Sequence, residues 1–562
     1  MPESHGFQPV RFLRDLARNS PWAFMAIALH VIVIAIAAIT VMGHDSKPPE
    51  ETATTISVSR PREEAEEEFV PPPEVIDRKA VPKNEEAEIV SFEEDVYIPT
   101  TEAQVEDLHL DRGDPTALDN LPTGGTTGGT AIGVGTGGHF GTGKPSPFGG
   151  RKIGSGVGKG RAGGPTQGTE KAVLDGLRWL VRHQNPDGSW GAASMKDRCS
   201  PETPCYDTKE SFNDHYDEGL TGLALLCFLG AGFSHESKQD IVDTAMAKRH
   251  KIGDVIKNGL TWLVKKQGQD GSFSKDRAFM YNEALAGLAL TEAYGLTQNR
   301  YWQGPAQKSI DFLQKSQRPS PTGTGLWGWR YASRMDIEQF HGSGASMDES
   351  TKKELFDSDT SVTGWVVMAL KSAQISGLTV NPENMQGAMA FTKWVTGDNG
   401  LVGYIDPKGA GQSVTGKNDH FTYHPTVMSA LGMCIRIFSE HNPDDPFLDL
   451  AAKRIITDLP TITKDKLSVD YYYWYYASLA LNQLDGPDSP RKSGKYWGPW
   501  NKAMVDAVTE LQDKSEKTCQ SGGWIVPDRW AYAGGPVYTT AINVLTLEVY
   551  YRYENAFGAG RN

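Results

Sequence analysis

The chain has 562 residues, 38% of them hydrophobic, with 60 Gly, 33 Pro and a formal net charge of −14. That length exceeds one ordinary domain, and so much Gly and Pro dilutes a folded part with segments that bury no core. The acidic balance, with no basic stripe beyond the first turns, excludes nucleic acid as a partner, because phosphate binding needs a basic face.

Residues 1–21 form a short start carrying Arg11, Arg14 and Arg18. Residues 22–43 (WAFMAIALHVIVIAIAAITVMG) contain no Asp, Glu, Lys or Arg, which predicts a membrane-spanning helix of about 30 Å. Arginines before it and an acidic stretch after it place the N-terminus in the cytoplasm, the span in an inner membrane and the bulk of the chain in the periplasm. The apolar run is longer than a signal-peptide core, and Val41-Met42-Gly43-His44 is a poor cleavage signal. His30 is the one ionisable group in the span. Burying such a group in lipid is costly, so it is expected to face a partner.

Residues 44–120 are acidic and Pro/Glu-rich (EEAEEEFVPPPEV), and residues 121–168 are Gly-rich and of low complexity. Neither has helical or strand periodicity, and together they predict a coil spanning on the order of 60 Å. Gly133-Val134-Gly135-Thr136-Gly137-Gly138 matches a dinucleotide fingerprint by letter, but no strand precedes it and no helix follows. Basic start, His-bearing span and Pro/Glu-rich stretch together resemble the N-terminus of a TonB-type energy transducer. The resemblance implies a motor-type inner-membrane partner engaged through His30. The family also carries a Ser four residues away, where this chain has Ala26.

From residue 169 to 556, ahead of a tail at 557–562, the sequence repeats. Six amphipathic helices are expected near 170–184, 252–267, 305–317, 383–396, 447–458 and 501–513. Each is followed by a helix rich in small and apolar residues, near 217–231, 281–296, 359–375, 423–438, 470–484 and 537–553. Hairpins apolar on both helices must close on one another, and a two-layer ring does so with the small-residue helices inside.

The connections carry a pattern. Trp179-Leu180, Gln184, Gly188 and Trp190 read W-L-x3-Q-x3-G-x-W; Trp262-Leu263, Gln267, Gly271 and Phe273 repeat it; and Phe312-Leu313, Gln317 opens a third copy ending at Trp327-Gly328-Trp329. Gln is expected to bond the free carbonyls at its own helix's C-terminus, Asp-Gly to make the turn, and the aromatic to pack over the next helix end. This pattern resembles the QW motif of terpenoid cyclases and protein prenyltransferases, the prenyltransferase and squalene oxidase repeat. It implies an all-α fold, an (α/α)6 toroid, with a cavity reached over the N-terminal ends of the inner helices. The motif itself is a structural staple and says nothing about catalysis.

At those ends stand Asp214, His215, Asp217, Tyr281, Asn282, Glu283, Asp357, Asp359, Thr360, His420, Tyr423, His424, Asp470 and Tyr538. Helix capping accounts for Asp217, Asp359 and Asp470. Phe356-Asp357-Ser358-Asp359-Thr360 resembles the Asp-x-Asp-Asp-Thr acid motif of squalene-hopene-type cyclases, so Asp357 and Asp359 are the catalytic candidates, with the motif incomplete in either register. The Asp-x-Cys zinc pair of the protein prenyltransferases and an Asp-Asp-x-x-Asp diphosphate clamp are both missing. The run Tyr471, Tyr472, Tyr473, Trp474, Tyr475, Tyr476 puts some rings inward whatever the helix's rotation. Tyr281, Trp365, His424, Tyr471, Tyr472, Trp474, Tyr475 and Tyr538 are the expected ligand-binding set, for a lipid, a polyprenyl chain or an extended peptide.

Among the cysteines, Cys199 and Cys205 flank a Ser-Pro-Glu-Thr-Pro loop and suit a small disulfide in an oxidising compartment. No further ligands at zinc spacing are evident beside them, so no metal and no cofactor is expected. Cys227 and Cys434 lie in apolar runs, and Cys519 is left over. Three functions follow in order: a binding toroid on a leash, a degenerate terpenoid cyclase acting on membrane lipids, and a transducer coupled to a proton-driven motor.

Overall fold

The computed structural model describes residues 163–553 with short interruptions, together with Phe148, residues 151–153 and the two-residue strands β1 (His139–Phe140) and β2 (Lys144–Pro145). The span with His30, the acidic tether and the Gly133–Gly138 tract lie outside the described residues. Among those described, no helix is long and apolar enough to cross a membrane.

The first helix pair is α1 (Gln167–Arg182) and α2 (Asp217–Gly230). A hairpin of β3 (Asp240–Asp243) and β4 (Lys248–Lys251) then precedes α3 (Ile252–Lys266) and α4 (Met280–Thr297). In the third pair two short helices, α6 (Arg334–His341) and α7 (Glu349–Phe356), separate α5 (Arg300–Lys315) from α8 (Thr360–Ser376). The rest are α9 (Pro382–Trp394) with α10 (Val427–Glu440), α11 (Pro446–Ile455) with α12 (Tyr471–Asp485), and α13 (Trp497–Leu511) with α14 (Ala531–Leu547), before α15 (Val549–Arg552).

The inner helices form a closed ring. α2 packs on α4, α4 on α8, α8 on α10, α10 on α12, α12 on α14, and α14 returns to α2. The domain is therefore mostly helical and of the α/α-toroid type. Sequence pattern explains which helix goes where. In α13 the buried residues are Trp497, Trp500, Met504, Ala507, Val508 and Leu511, one apolar stripe of an outer helix. In α12 every residue from Tyr471 to Leu481 is buried, as an inner helix requires. Small residues let the inner backbones approach: a Cβ at Gly222 of α2 would stand 2.6 Å from the Leu285 carbonyl of α4.

The outer helices are joined by one device used repeatedly, and it differs from the sequence expectation. The tryptophan, not the glutamine, satisfies its own helix end: the indole N–H of Trp190 donates to Leu180, that of Trp329 to Leu313 and that of Trp524 to Val508, each at 2.7 Å. Each glutamine instead reaches the next outer helix or its entry. Gln184 donates to the Val255 carbonyl at 2.9 Å, Gln267 to Pro305 at 3.0 Å, Gln317 to Asn384 at 2.9 Å, and Gln512 back to Ala172 in α1 at 2.8 Å. The turn glycines bring the loops close enough. Gly188, Gly271 and Gly522 have φ of +99°, +96° and +83°, and a Cβ on any of them would stand within 2.5 Å of a carbonyl oxygen on the following outer helix.

Part of the segment read as linker belongs to the domain. Phe148 and Ile153 are buried, and the Ile153 N–H donates to the Ala231 carbonyl at 3.0 Å. Arg151 donates to Glu292 at 2.7 Å and to the Arg552 carbonyl at 2.9 Å, while Arg552 and Tyr553 also bond Glu292. This fully buried ion cluster ties the start of the domain to its last helix.

α5 and α13 start earlier than expected, at Arg300 and Trp497, and two inner-helix starts differ for a local reason. α10 begins at Val427 because His424 and Thr426 are pinned by the Asp458 carboxylate, which holds the preceding turn out of helix. α14 reaches back to Ala531 across a break at Gly535, φ +52°, next to Pro536. The β3–β4 hairpin and the short helices α6 and α7 carry no periodicity from which to read them.

Candidate ligand cavity

The N-terminal ends of the inner helices surround a cavity of about 440 Å³. Gly219, Tyr281, Ser361, Met428, Tyr472 and Gly534, each near the start of a different inner helix, all line it. The same helices add further residues such as Trp365 and Tyr538, and the connections between outer and inner helices supply Tyr216, Phe279, Tyr331, Tyr404 and Trp530. Tyr331 and Tyr532, 40% and 47% exposed, stand at its rim. Ten of its nineteen lining residues are aromatic, and none of the described lining residues is charged.

Local bonds hold these rings in place. The Asp359 N–H donates to the Trp329 carbonyl at 2.8 Å, and the Thr360 N–H to the Tyr404 carbonyl at 2.9 Å. The α8 start thus fixes the two strands of chain that carry Tyr331 and Tyr404, whose hydroxyls bond each other. Within the cavity Tyr281 donates to the Ser361 hydroxyl at 2.6 Å, and that hydroxyl pairs with Tyr472 at 2.5 Å. Burial pushes the Tyr281 and Tyr404 hydroxyls well above the ordinary phenol range, so the wall is neutral. Trp365 is backed by Tyr475, whose ring stacks at 5.7 Å and 13°.

Of the residues expected to bind ligand, Tyr281, Trp365, Tyr472 and Tyr538 line the cavity. Tyr475 sits behind it, and Tyr471, bonded to the Val526 carbonyl at 3.2 Å, packs with Trp474 between the helix layers. His424 is elsewhere, bonded to Asp458 at 2.9 Å and stacked on Tyr473. One face of α12 points inward and the others pack, which explains the division. Missed by sequence reasoning were the rings of the entry loops, Phe279, Tyr331, Tyr404 and Trp530. Phe279 and Trp530 had one signal, an aromatic directly before an inner helix, whereas Tyr331 and Tyr404 lie well upstream of α8 and α10 and had none.

The two catalytic candidates lie just outside the cavity wall. Asp357 pairs with Arg330 Nε at 3.0 Å and is half-buried. Asp359 is fully buried and caps α8, its Oδ1 accepting from the Val362 N–H at 2.7 Å. Its Oδ2 accepts no hydrogen bond and lies 3.8 Å from Arg330 Nη1. Burial raises this carboxyl to about 7 against the pull of Arg330. Asp470 caps α12 in the same way, accepting from Tyr473 at 2.9 Å. Asp217 does not cap; it lies in the first turn of α2, where burial raises its carboxyl to about 7.

The expectation of unaccompanied Cys199 and Cys205 is corrected by the fold. All five cysteines are free thiols, and His183, Cys199, Cys205 and Cys519, none of which lines the cavity, bring their ligand atoms within 4.8 Å of one another.

No protein-family model matches the chain, and no curated protein matches it. Solved structures of similar shape include the type II terpene cyclase MstE from Scytonema, 12% identical, covering 68% of this chain and 97% of that one, TM-score 0.42. A protein from Actinoplanes is 14% identical over 68% and 99% of the two chains, TM-score 0.39. An inactive variant of the α-1,6-mannanase GH76A of Salegentibacter is 12% identical over 68% and 99%, TM-score 0.40. Likenesses this distant carry no argument about what this chain does.

Proposed function

We propose that the toroid binds an uncharged, hydrophobic chain of lipid or polyprenyl type between the N-terminal ends of its inner helices. The observation that carries this reading is a 440 Å³ cavity with ten aromatic residues and no charged one among its described lining. Aromatic walls reward apolar contact, while an anionic headgroup or a diphosphate would find no cation among the described lining residues to offset its desolvation. A peptide backbone would find few partners besides Asn282, Ser361 and the phenols. Among the described lining residues there is also no pair of carboxylates facing each other across the space, as glycoside hydrolysis needs. The test is mass spectrometry of lipids extracted from the purified full chain, repeated on Ala533→Trp, which fills the half-exposed end of the cavity. A prenyl or acyl lipid present in the first and lost in the second is expected; equal recovery from both places the lipid elsewhere.

Residues 22–43 extend the proposal to location, as an inner-membrane anchor that keeps a periplasmic toroid near its ligand. A reporter fused after residue 562 should be active only in its periplasmic form. His30 would then face a membrane partner, which crosslinking from its neighbours would capture.

A second reading rests on Asp359. A buried carboxyl raised to about 7, with one oxygen accepting no hydrogen bond, has the character of an acid that protonates an alkene. It stands behind the cavity wall, so cyclase activity ranks below binding.

A further inference from the structure

The α1 C-terminus, the loop after it and the loop after α13 meet at the seam where the last repeat closes on the first. His183 is the C-cap residue of α1, Cys199 and Cys205 flank the Pro-rich turn after it, and Cys519 comes from the far end of the chain. The His183 Nε2 lies 3.6 Å from Cys199 Sγ, 3.5 Å from Cys205 Sγ and 3.2 Å from Cys519 Sγ. Ligands of a tetrahedral zinc ion, with bonds of about 2.3 Å to sulfur and 2.0–2.1 Å to nitrogen, stand about 3.6 Å apart for S···N and about 3.8 Å for S···S. The Cys199 and Cys205 distances match that tetrahedron, the Cys519 sulfur stands closer, and all four ligand atoms lie within 4.8 Å of one another.

The surroundings are built for it. The His183 Nδ1 donates to the Trp179 carbonyl at 2.8 Å, which fixes the tautomer and turns the Nε2 lone pair toward the sulfurs. Its ring also stacks on Trp179 at 3.8 Å. The two loops are bound to each other independently: the Cys519 N–H donates to Thr203 at 3.1 Å and the Gln520 amide to the Pro204 carbonyl at 2.6 Å. Arg182, paired with Asp243 at 2.6 Å, donates to the Cys519 carbonyl at 2.8 Å. A divalent ion deprotonates the thiols that coordinate it, so three neighbouring thiolates are stable only around a cation.

We infer that His183, Cys199, Cys205 and Cys519 form a structural zinc site that staples the last repeat of the toroid to the first. Three thiolates and an imidazole favour zinc over hard cations. Four protein ligands, three of them in fully buried residues, fill the coordination sphere and leave no open position for substrate water. The site is independent of the cavity, and its role is ring closure.

The experiment is elemental analysis of the full chain produced in zinc-supplemented medium, together with thermal unfolding before and after chelation. One zinc per chain is expected, with a fall in Tm on removal that added zinc restores. Cys519→Ser should lose the metal, and Cys227→Ser, a buried thiol outside the cluster, should keep it. Because Cys519→Ser also risks misfolding, cobalt loaded into the stripped wild-type chain provides the second measurement. Tetrahedral cobalt bound by thiolates gives intense visible bands and a sulfur-to-metal charge-transfer band. No stoichiometric zinc, zinc retained by a folded Cys519→Ser, an octahedral cobalt spectrum, or a Cys199–Cys205 disulfide in the unreduced protein would each overturn the assignment.

Discussion

The Gln512 side-chain amide donates to the Ala172 carbonyl at 2.8 Å, so a residue after the last outer helix holds the first one. Its second bond, to Gly522 at 2.9 Å, ties the same amide to its own loop. Gln184, Gln267 and Gln317 do the same at earlier joints, and Gln512 closes the circle. Both carbonyls are buried with the glutamine, and removing their donor costs about 1–3 kcal/mol. Gln512→Ala should therefore lower the unfolding free energy by that amount in denaturant titration. A change below about 0.5 kcal/mol would mean that the seam is held by other contacts.

This joint also shows how far the sequence could be read. The copies at Gln184 and Gln267 share one spacing, and a third starts at Gln317, so the repeat and the ring were visible in letters. Gln512 escaped because nine residues separate it from Gly522, where three separate Gln184 from Gly188. The inserted loop is the one that delivers Cys519. Likewise His183 and Cys519 share no local pattern, and only ring closure brings them together. Inner-helix rings such as Tyr281 and Tyr472 were legible because a helix start fixes their direction. Tyr331 and Tyr404 were not, because their orientation depends on the backbone of residues 359–360 in another element.

Arg151 gives a prediction about where the domain begins. It is buried against Glu292 together with Arg552, and its own segment reads as Gly-rich linker. Removing one partner of a buried ion pair typically costs about 3–5 kcal/mol. Arg151→Ala should lower Tm clearly, and a chain truncated to begin at Gly163 should lower it further, since Phe148 and Ile153 go too. Equal melting of the truncated and full chains would show that these contacts contribute nothing net.

Glu283 predicts a pH dependence. Burial raises its carboxyl from an ordinary 4.5 to about 8, against its bonds to the Phe273 N–H and the Ser274 hydroxyl. In the unfolded chain it ionises near its ordinary value, while in the folded domain it keeps its proton until about 8. Between those limits the folded state holds the extra proton, so this group makes stability fall as pH rises, with a plateau above about 8. Glu283→Gln keeps both hydrogen bonds, accepting from Phe273 and donating to Ser274, and does not ionise. Its advantage over wild type in unfolding free energy should grow from pH 5 to pH 8. An advantage that does not change with pH would remove the buried neutral carboxyl from the account.

Asp359 separates the binding reading from the cyclase reading. It caps α8 through Oδ1, an acceptor that Asn retains, so Asp359→Asn should fold like wild type. Asp359→Ala loses the cap and should cost about 0.5–2 kcal/mol. Alkene protonation needs the neutral acid, and a carboxyl at about 7 is half-protonated at neutrality, so cyclase activity would decline above that pH. Its free oxygen faces Arg330 at 3.8 Å, while the cavity wall is made by Tyr281, Tyr331, Tyr404 and Tyr472. A polyene seated among those rings would have to reach past them for a proton. Purified full chain incubated with a squalene-like polyene should therefore bind it and return it uncyclised, as judged by gas chromatography and mass spectrometry. A cyclised product that wild type forms below pH 7 and Asp359→Asn does not would make Asp359 the acid and the toroid an enzyme.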